Sequence, residues 1–204
     1  MTRTRTRQDG SARREALLDA ALSCFARGGV WSTGIEAIRL HAGASPSSVY
    51  HLFPDGLADV AGALLERIFA ELFAELHARV GTRTSARTAV RALVRGHVDW
   101  VLAQPDKARV MYEAVGLKFP ERVQARLIAS KHASLAPLLV HFAGFIEAGD
   151  LPAWSPELLD IVLLGAAHEA CRRLLAGADL DPDWLRTQLP SAAWRAISRR
   201  PRAG

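Results

Sequence analysis

Apolar residues recur along most of the chain at three- and four-residue intervals, and no alternating stretch is long enough to form a strand, so the pattern predicts an all-α protein. Leu17, Leu18, Ala21 and Phe25 define a first helix that Ser11 can cap and Gly28-Gly29 stops. Thr33 is placed to cap a short second helix with Ile35, Ile38 and Ala42 on its inner side, and Gly43 ends it. Ser45 and Pro46 open a third, because a proline at the first helical position forfeits no hydrogen bond. A long amphipathic helix follows over residues 57–80, with Leu57, Val60, Ala61, Leu64, Leu65, Ile68, Leu72 and Leu76 as its stripe.

Residues 81–85 break that helix. The next presents Val90, Leu93, Val94, His97, Val98 and Val101 on one face and stops at Gln104-Pro105. A short helix is expected over residues 106–115 and a long one over 121–148. Ser155-Pro156-Glu157 combines a cap, a first-turn proline and a first-turn acid. The helix it starts is apolar nearly all round through Leu158, Leu159, Ile161, Val162, Leu163 and Leu164, so it needs cover on more than one side. One face suits the protein's own core and the other a second subunit, with Gly165, Ala166, Ala167 and Ala170 permitting close approach. Asp181-Pro182 begins a last helical region that Pro190 is expected to interrupt.

Place residues 46–53 on a helix and Val49, Leu52 and Phe53 share one face, while Ser47 and His51 stand opposite, flanked by Ser48 and Tyr50. So short a helix is unstable alone and must rest on the two before it, leaving its polar side displayed. Two short helices around a glycine-containing turn form the helix-turn-helix arrangement that lays its second helix in the DNA major groove, although a small helical bundle can contain the same pattern. Charge adds weight to the first reading. The 204 residues carry a formal +5, and Arg3, Arg5, Arg7, Arg13 and Arg14 crowd the first fourteen against a single Asp9, an arm fit for an anionic polymer or the minor groove.

The run from Leu17-Leu18-Asp19-Ala20-Ala21 through Phe25, Gly28, Thr33, Ile35, Ile38 and Ala42-Gly43-Ala44-Ser45 to Tyr50-His51-Leu52-Phe53-Pro54 resembles the N-terminal domain of the TetR family of transcriptional repressors. That resemblance covers residues 13–60 and implies a homodimer that binds a palindromic operator and releases it when a small molecule enters the C-terminal domain. It implies that Thr33 caps the second helix against a phosphate, that Ser45, Ser47 and Ser48 meet the groove and backbone, and that Tyr50 and His51 donate to phosphates. This chain departs from the family pattern at Pro46-Ser47-Ser48, where lysine-glycine-threonine is usual, at Gly56, usually lysine, and at Arg39, usually alanine. The third helix shows no Arg, Lys, Asn or Gln, so the strongest bidentate base contacts are not available to it. The arginine arm and DNA shape are therefore expected to carry more of the affinity and discrimination than that helix does.

Residues 1–55 are thus expected to form a DNA-binding domain, and residues 56–204 a helical regulatory domain that binds an effector and dimerises through its last two helical regions. His97, Trp100, Met111, Tyr112, Phe119, Phe142 and Phe145 are the candidates for lining an effector pocket, with core packing as the alternative for each. His132 and His141 carry the same two readings. Cys24 and Cys171 fall inside apolar patterns and are expected to pack in the core of a protein kept in a reducing cytoplasm. The polar N-terminus lacks the apolar segment of a signal peptide, and no apolar run approaches the roughly 20 residues of a membrane span. His168 and Cys171 give at most two metal ligands, short of a zinc site, and neither a phosphate-cradling glycine loop nor a nucleophile elbow is present. No cofactor is expected. The rival reading, an all-α enzyme or ligand carrier, lacks a catalytic constellation.

Overall fold

The computed structural model describes residues 2–30, 32–114 and 117–198, with side chains from residue 10 onward. Among the described residues there are nine α-helices and no strand: α1 (Thr2–Gly28), α2 (Ile35–His41), α3 (Pro46–Leu52), α4 (Leu57–Val80), α5 (Ala86–Ala103), α6 (Pro105–Glu113), α7 (Glu121–Glu147), α8 (Pro156–Leu175) and α9 (Pro182–Ile197). Two compact units share them, Met1–Phe69 with Asp106–Lys131, and Ala70–Pro105 with His132–Gly204. The units are not divided by a single cut after residue 55, because α6 and the first part of α7 join the N-terminal helices.

In the first unit Leu17, Leu18, Ala21 and Phe25 of α1, Ile38 of α2, Val49 of α3, Phe53 and Val60, Ala61, Leu64, Leu65 and Ile68 of α4 are buried and form its core. Burying each large side chain contributes on the order of 1.5–3 kcal/mol, which is what holds seven-residue helices that would melt alone. Arg14 of α1 lies over the Phe53 ring, 5.5 Å from its centre, and adds a cation–π contact to that apolar one. The first helix begins at Thr2, so Ser11 sits within it and does not cap it as expected. Cys24 is half-buried and not a core residue, while Cys171 is fully buried.

In the second unit α5 is the central helix. It buries Val90, Leu93, Val94, His97, Val98, Trp100 and Val101 and packs against α8 and α9. Ser85 caps α5, Ser155 caps α8 and Asp181 caps α9, each side chain accepting a first-turn backbone N–H. The predicted break at Pro190 does not occur. Pro190 is buried inside a continuous α9, where packing outweighs the missing N–H. Leu159, Leu163 and Leu164 of α8 face the core, whereas Leu158 and Ile161 on its other side are 51% and 63% exposed and Trp184 of α9 is 53% exposed. Among the described residues no helix is long and apolar enough to cross a membrane.

Candidate nucleic-acid interface

The turn between α2 and α3 is built by backbone hydrogen bonds around one glycine. Gly43 has φ +63°, the left-handed region, and its N–H donates to the Leu40 carbonyl at 3.2 Å while the Ala44 N–H donates to the Arg39 carbonyl at 3.0 Å. These paired bonds close α2. Arg39 is tied to this turn. Its Nη1 donates to the Ala44 carbonyl at 3.0 Å and its Nε to Glu36 Oε2 at 2.8 Å, so the unusual arginine staples the turn. Ser45 caps α3 as predicted, accepting the Ser48 N–H at 3.2 Å, with Pro46 in the first turn. Its hydroxyl also lies 3.1 Å from Ser47 Oγ and 2.9 Å from Ser48 Oγ, so the three serines form one small network.

The faces of α3 divide as its sequence predicts. Val49 and Phe53 are buried and Leu52 half-buried, whereas Ser47, Tyr50 and His51 are exposed and Ser48 is partly so. The outward face can donate and accept hydrogen bonds but presents no guanidinium, ammonium or amide. Chemically it suits phosphate oxygens better than the paired donor and acceptor atoms of a base edge. Gly56, just before α4, has φ +61°, and a side chain built there would come within 3.8 Å of the Tyr50 ring. The backbone conformation thus accounts for glycine where the family resemblance leads one to expect lysine.

Thr33 corrects the expectation. Gly34, not Thr33, occupies the N-cap position of α2, which has no side-chain cap. The Thr33 hydroxyl points back to α1, donating to the Gly29 carbonyl at 2.8 Å, with the Cys24 carbonyl at 3.4 Å, and the residue is only 8% exposed. It closes the C-terminal end of α1. The side chains of Arg3, Arg5 and Arg7 lie outside the described residues; their backbone belongs to α1.

Sequence reasoning missed the ionic cluster beneath this module. Asp59, in the first turn of α4 and 1% exposed, accepts the Asp55 N–H at 2.7 Å, Arg122 Nη2 at 3.0 Å and Arg126 Nη1 at 3.0 Å. Arg126 Nε also bonds Glu66 Oε1 at 2.6 Å, and Arg122 pairs with Asp55. Burial alone would raise the carboxyl pKa, but the Asp55 N–H and the two guanidiniums outweigh it and hold Asp59 below the usual carboxylate range. Both arginines come from α7, more than sixty residues away. No local sequence signal pairs them with Asp59. Likewise Glu113 of α6 accepts the Val30 N–H at 2.8 Å and so holds the loop after α1.

The effector-pocket candidates are divided between the two units. Met111, Tyr112 and Phe119 belong to the first unit, and His97, Trp100, Phe142 and Phe145 to the second. His97, Trp100, Met111 and Phe142 are buried as core residues, and Tyr112, Phe119 and Phe145 are half-buried. Phe142, Phe145 and His141 pack edge to face, with ring centres 5.2–6.3 Å apart. His97 lies 4.6 Å from the His168 ring, and burial, with His168 beside it, pushes its pKa down to about 3, so it is a neutral packing group at physiological pH. Two open grooves in the second unit contain none of the seven candidates. Among the described residues no group of three or more His, Cys, Asp or Glu is placed to hold a metal ion.

Two short helices sharing a core with α1, with a tight glycine turn and a polar third helix on display, define a helix-turn-helix module joined to a helical C-terminal region. Residues 17–55, which hold this module, match the family described as bacterial regulatory proteins, tetR family. The whole chain has the TetR-family regulator fold. It is similar to a TetR family transcription regulator from Marinobacter aquaeolei VT8 (TM-score 0.76, 19% identity, 96% of this chain and 100% of that one covered). A TetR family regulator from Shewanella sp. PV-4 (TM-score 0.74, 19% identity, covering 92% and 99%) and FadR of Bacillus subtilis, solved in complex with stearoyl-CoA (TM-score 0.74, 14% identity, covering 90% and 98%), share it. A comparison with curated proteins gave no match.

Proposed function

We propose that the protein is a cytoplasmic, effector-responsive repressor that binds a palindromic operator as a homodimer. The observation that carries this reading is the two-sided α3, pinned by Val49 and Phe53 and displaying Ser47, Tyr50 and His51. In this account Tyr50, His51, Ser47 and Ser48 grip the DNA backbone, and Ser45 does so through the helix terminus it caps. Arg3, Arg5 and Arg7 supply the sequence-independent attraction and minor-groove contact. Residues 1–55 act as the DNA-binding part and residues 56–204 as the regulatory and dimerising part. The exposed Leu158, Ile161 and Trp184 on α8 and α9 suit the interface between copies.

Dimerisation would set two α3 helices about one DNA turn apart, as two half-sites require. An effector that binds the DNA-competent and DNA-incompetent arrangements unequally shifts the population between them. That FadR of Bacillus subtilis was solved with stearoyl-CoA supports the idea that this fold can house an organic effector. Trp100 and Phe142 are buried, so an effector that contacts them must reach them within the second unit. Selection of bound sequences from random duplex DNA tests the proposal. The expected product is a palindrome with half-sites about one turn apart, and absence of any enriched sequence at low salt would favour a ligand-binding protein that does not act on DNA. Removal of residues 1–10 should flatten the dependence of log K on log salt, since fewer counterions are then released.

A further inference from the structure

Helices α5 and α9 enclose an open groove of about 320 Å³ in the second unit. Its charged lining is Arg83, Arg87, Arg91 and Arg95 along α5 and the turn before it, with Arg186 from α9, and no carboxylate. We propose that this groove binds a small organic polyanion carrying two or more phosphate groups, a site separate from the aromatic positions considered above.

Arg87, Arg91 and Arg95 recur every four residues and so stand in a row, about 6 Å apart along the helix axis. Like charges at that spacing destabilise a helix, and a solvated outer face would disperse them. Here they line a concavity. The charge balance is uneven along it. At one end Asp99 accepts Arg79 Nη1 at 2.9 Å and Arg186 Nε at 2.9 Å, with Arg95 at 3.8 Å, and Asp183 and Glu75 take further bonds from Arg186 and Arg79. Three carboxylates therefore answer three arginines there. At the other end Arg83 gives its Nε to the Arg79 carbonyl at 3.2 Å, and among the described residues Arg83, Arg87 and Arg91 pair with no carboxylate. The excess is three positive charges beside an Arg186 already oriented by Asp99 and Asp183.

Guanidinium forks match phosphate oxygens two at a time, so a row of them recognises linked phosphates better than one isolated anion. Ala92 and Pro190 give the groove an apolar floor where the organic part of such a ligand can lie. The volume falls in the range of small-molecule sites, roughly 300–1,000 Å³, which favours a small ligand over a nucleic-acid strand.

Calorimetry on the full-length protein with tripolyphosphate as probe tests the site. Saturable binding of one tripolyphosphate per chain is expected, at least about tenfold tighter than inorganic phosphate at matched ionic strength. Arg87 and Arg91 are both exposed, so Arg87→Gln/Arg91→Gln should fold normally, with an unchanged thermal midpoint, and bind tripolyphosphate at least about tenfold more weakly. Arg91→Ala alone provides a second variant, with a smaller loss. Arg172→Gln/Arg173→Gln removes the same charge from exposed positions on α8 and should leave affinity within about twofold. Equal loss in the two double variants, or failure of tripolyphosphate to bind the parent at low salt, would overturn the proposal. So would a fall in affinity for a random DNA duplex in Arg87→Gln/Arg91→Gln with tripolyphosphate binding unchanged, which would make the groove a nucleic-acid surface.

Discussion

Replacing Asp59 removes three partners at once, and the structure ranks their weights. In Asp59→Ala the Asp55 N–H, held at 2.7 Å against a carboxylate 2% exposed, loses a part-buried hydrogen bond to a charged group, worth about 1.5–3 kcal/mol. Arg126, 39% exposed, keeps Glu66, so its loss is partial. Arg122, 59% exposed and also paired with Asp55, regains water and adds only about 0–1 kcal/mol. The sum for Asp59→Ala is about 2–4 kcal/mol. Asp59→Asn retains an oxygen for the Asp55 N–H and should cost about half as much, and Arg122→Ala less than about 1 kcal/mol. Urea unfolding at fixed protein concentration, read as a shift of midpoint at constant slope, gives the order directly. If Asp59→Ala lies within about 0.5 kcal/mol of the parent, or Arg122→Ala costs more than Asp59→Ala, the assignment of Asp59 as the buried hub is wrong.

Other outcomes follow from single positions. The folded-state pKa of His97, about 3, lies below its unfolded value of about 6.5, so the folded state binds fewer protons. The stability His97 contributes is complete above pH 6.5 and falls by up to about 1.4 kcal/mol per pH unit toward pH 3. His97→Gln should flatten the fall in unfolding midpoint between pH 6.5 and 4, and an unchanged profile would refute this. Asp59, with its lowered pKa, contributes stability that is present above its unfolded value of about 3.9 and is lost only at more acid pH. Gly56→Lys restores a positive charge but forces a side chain into the left-handed region, so thermal denaturation should show a loss of about 1–2 kcal/mol. Thr33→Val should cost about 1 kcal/mol by freeing the Gly29 carbonyl, yet leave DNA affinity within about twofold in a gel shift, in contrast to a phosphate-contacting role.

Local chemistry made the module legible in the sequence. Serine before proline fixes where α3 starts, glycine fixes the turn, and the spacing of Val49, Leu52 and Phe53 fixes which side is buried. Thr33 misled because a threonine preceding a helix reads as its cap, while its hydroxyl also has the option of the helix before it, one turn back. Pro190 misled because the rule against helical proline weighs a lost hydrogen bond and not the burial gained by its ring. Asp59 lies outside the apolar stripe of α4, and its arginines, more than sixty residues away, became visible only when α7 was brought beside α4. The arginines of α5 are plain in the sequence at four-residue intervals, but the groove they line needs α9. The aromatic candidates raise a related question. Helical spacing fixes a face, and packing decides whether that face meets a cavity or a core.

The central claim is that α3 grips DNA through Tyr50 and His51. Fluorescence anisotropy on a labelled duplex carrying the selected palindrome, or the DNA flanking the protein's own gene, should show the parent binding and Tyr50→Ala/His51→Ala weakened about tenfold or more, at an unchanged thermal midpoint. Equal affinity of parent and double variant, or no binding by either at low salt, would contradict the account.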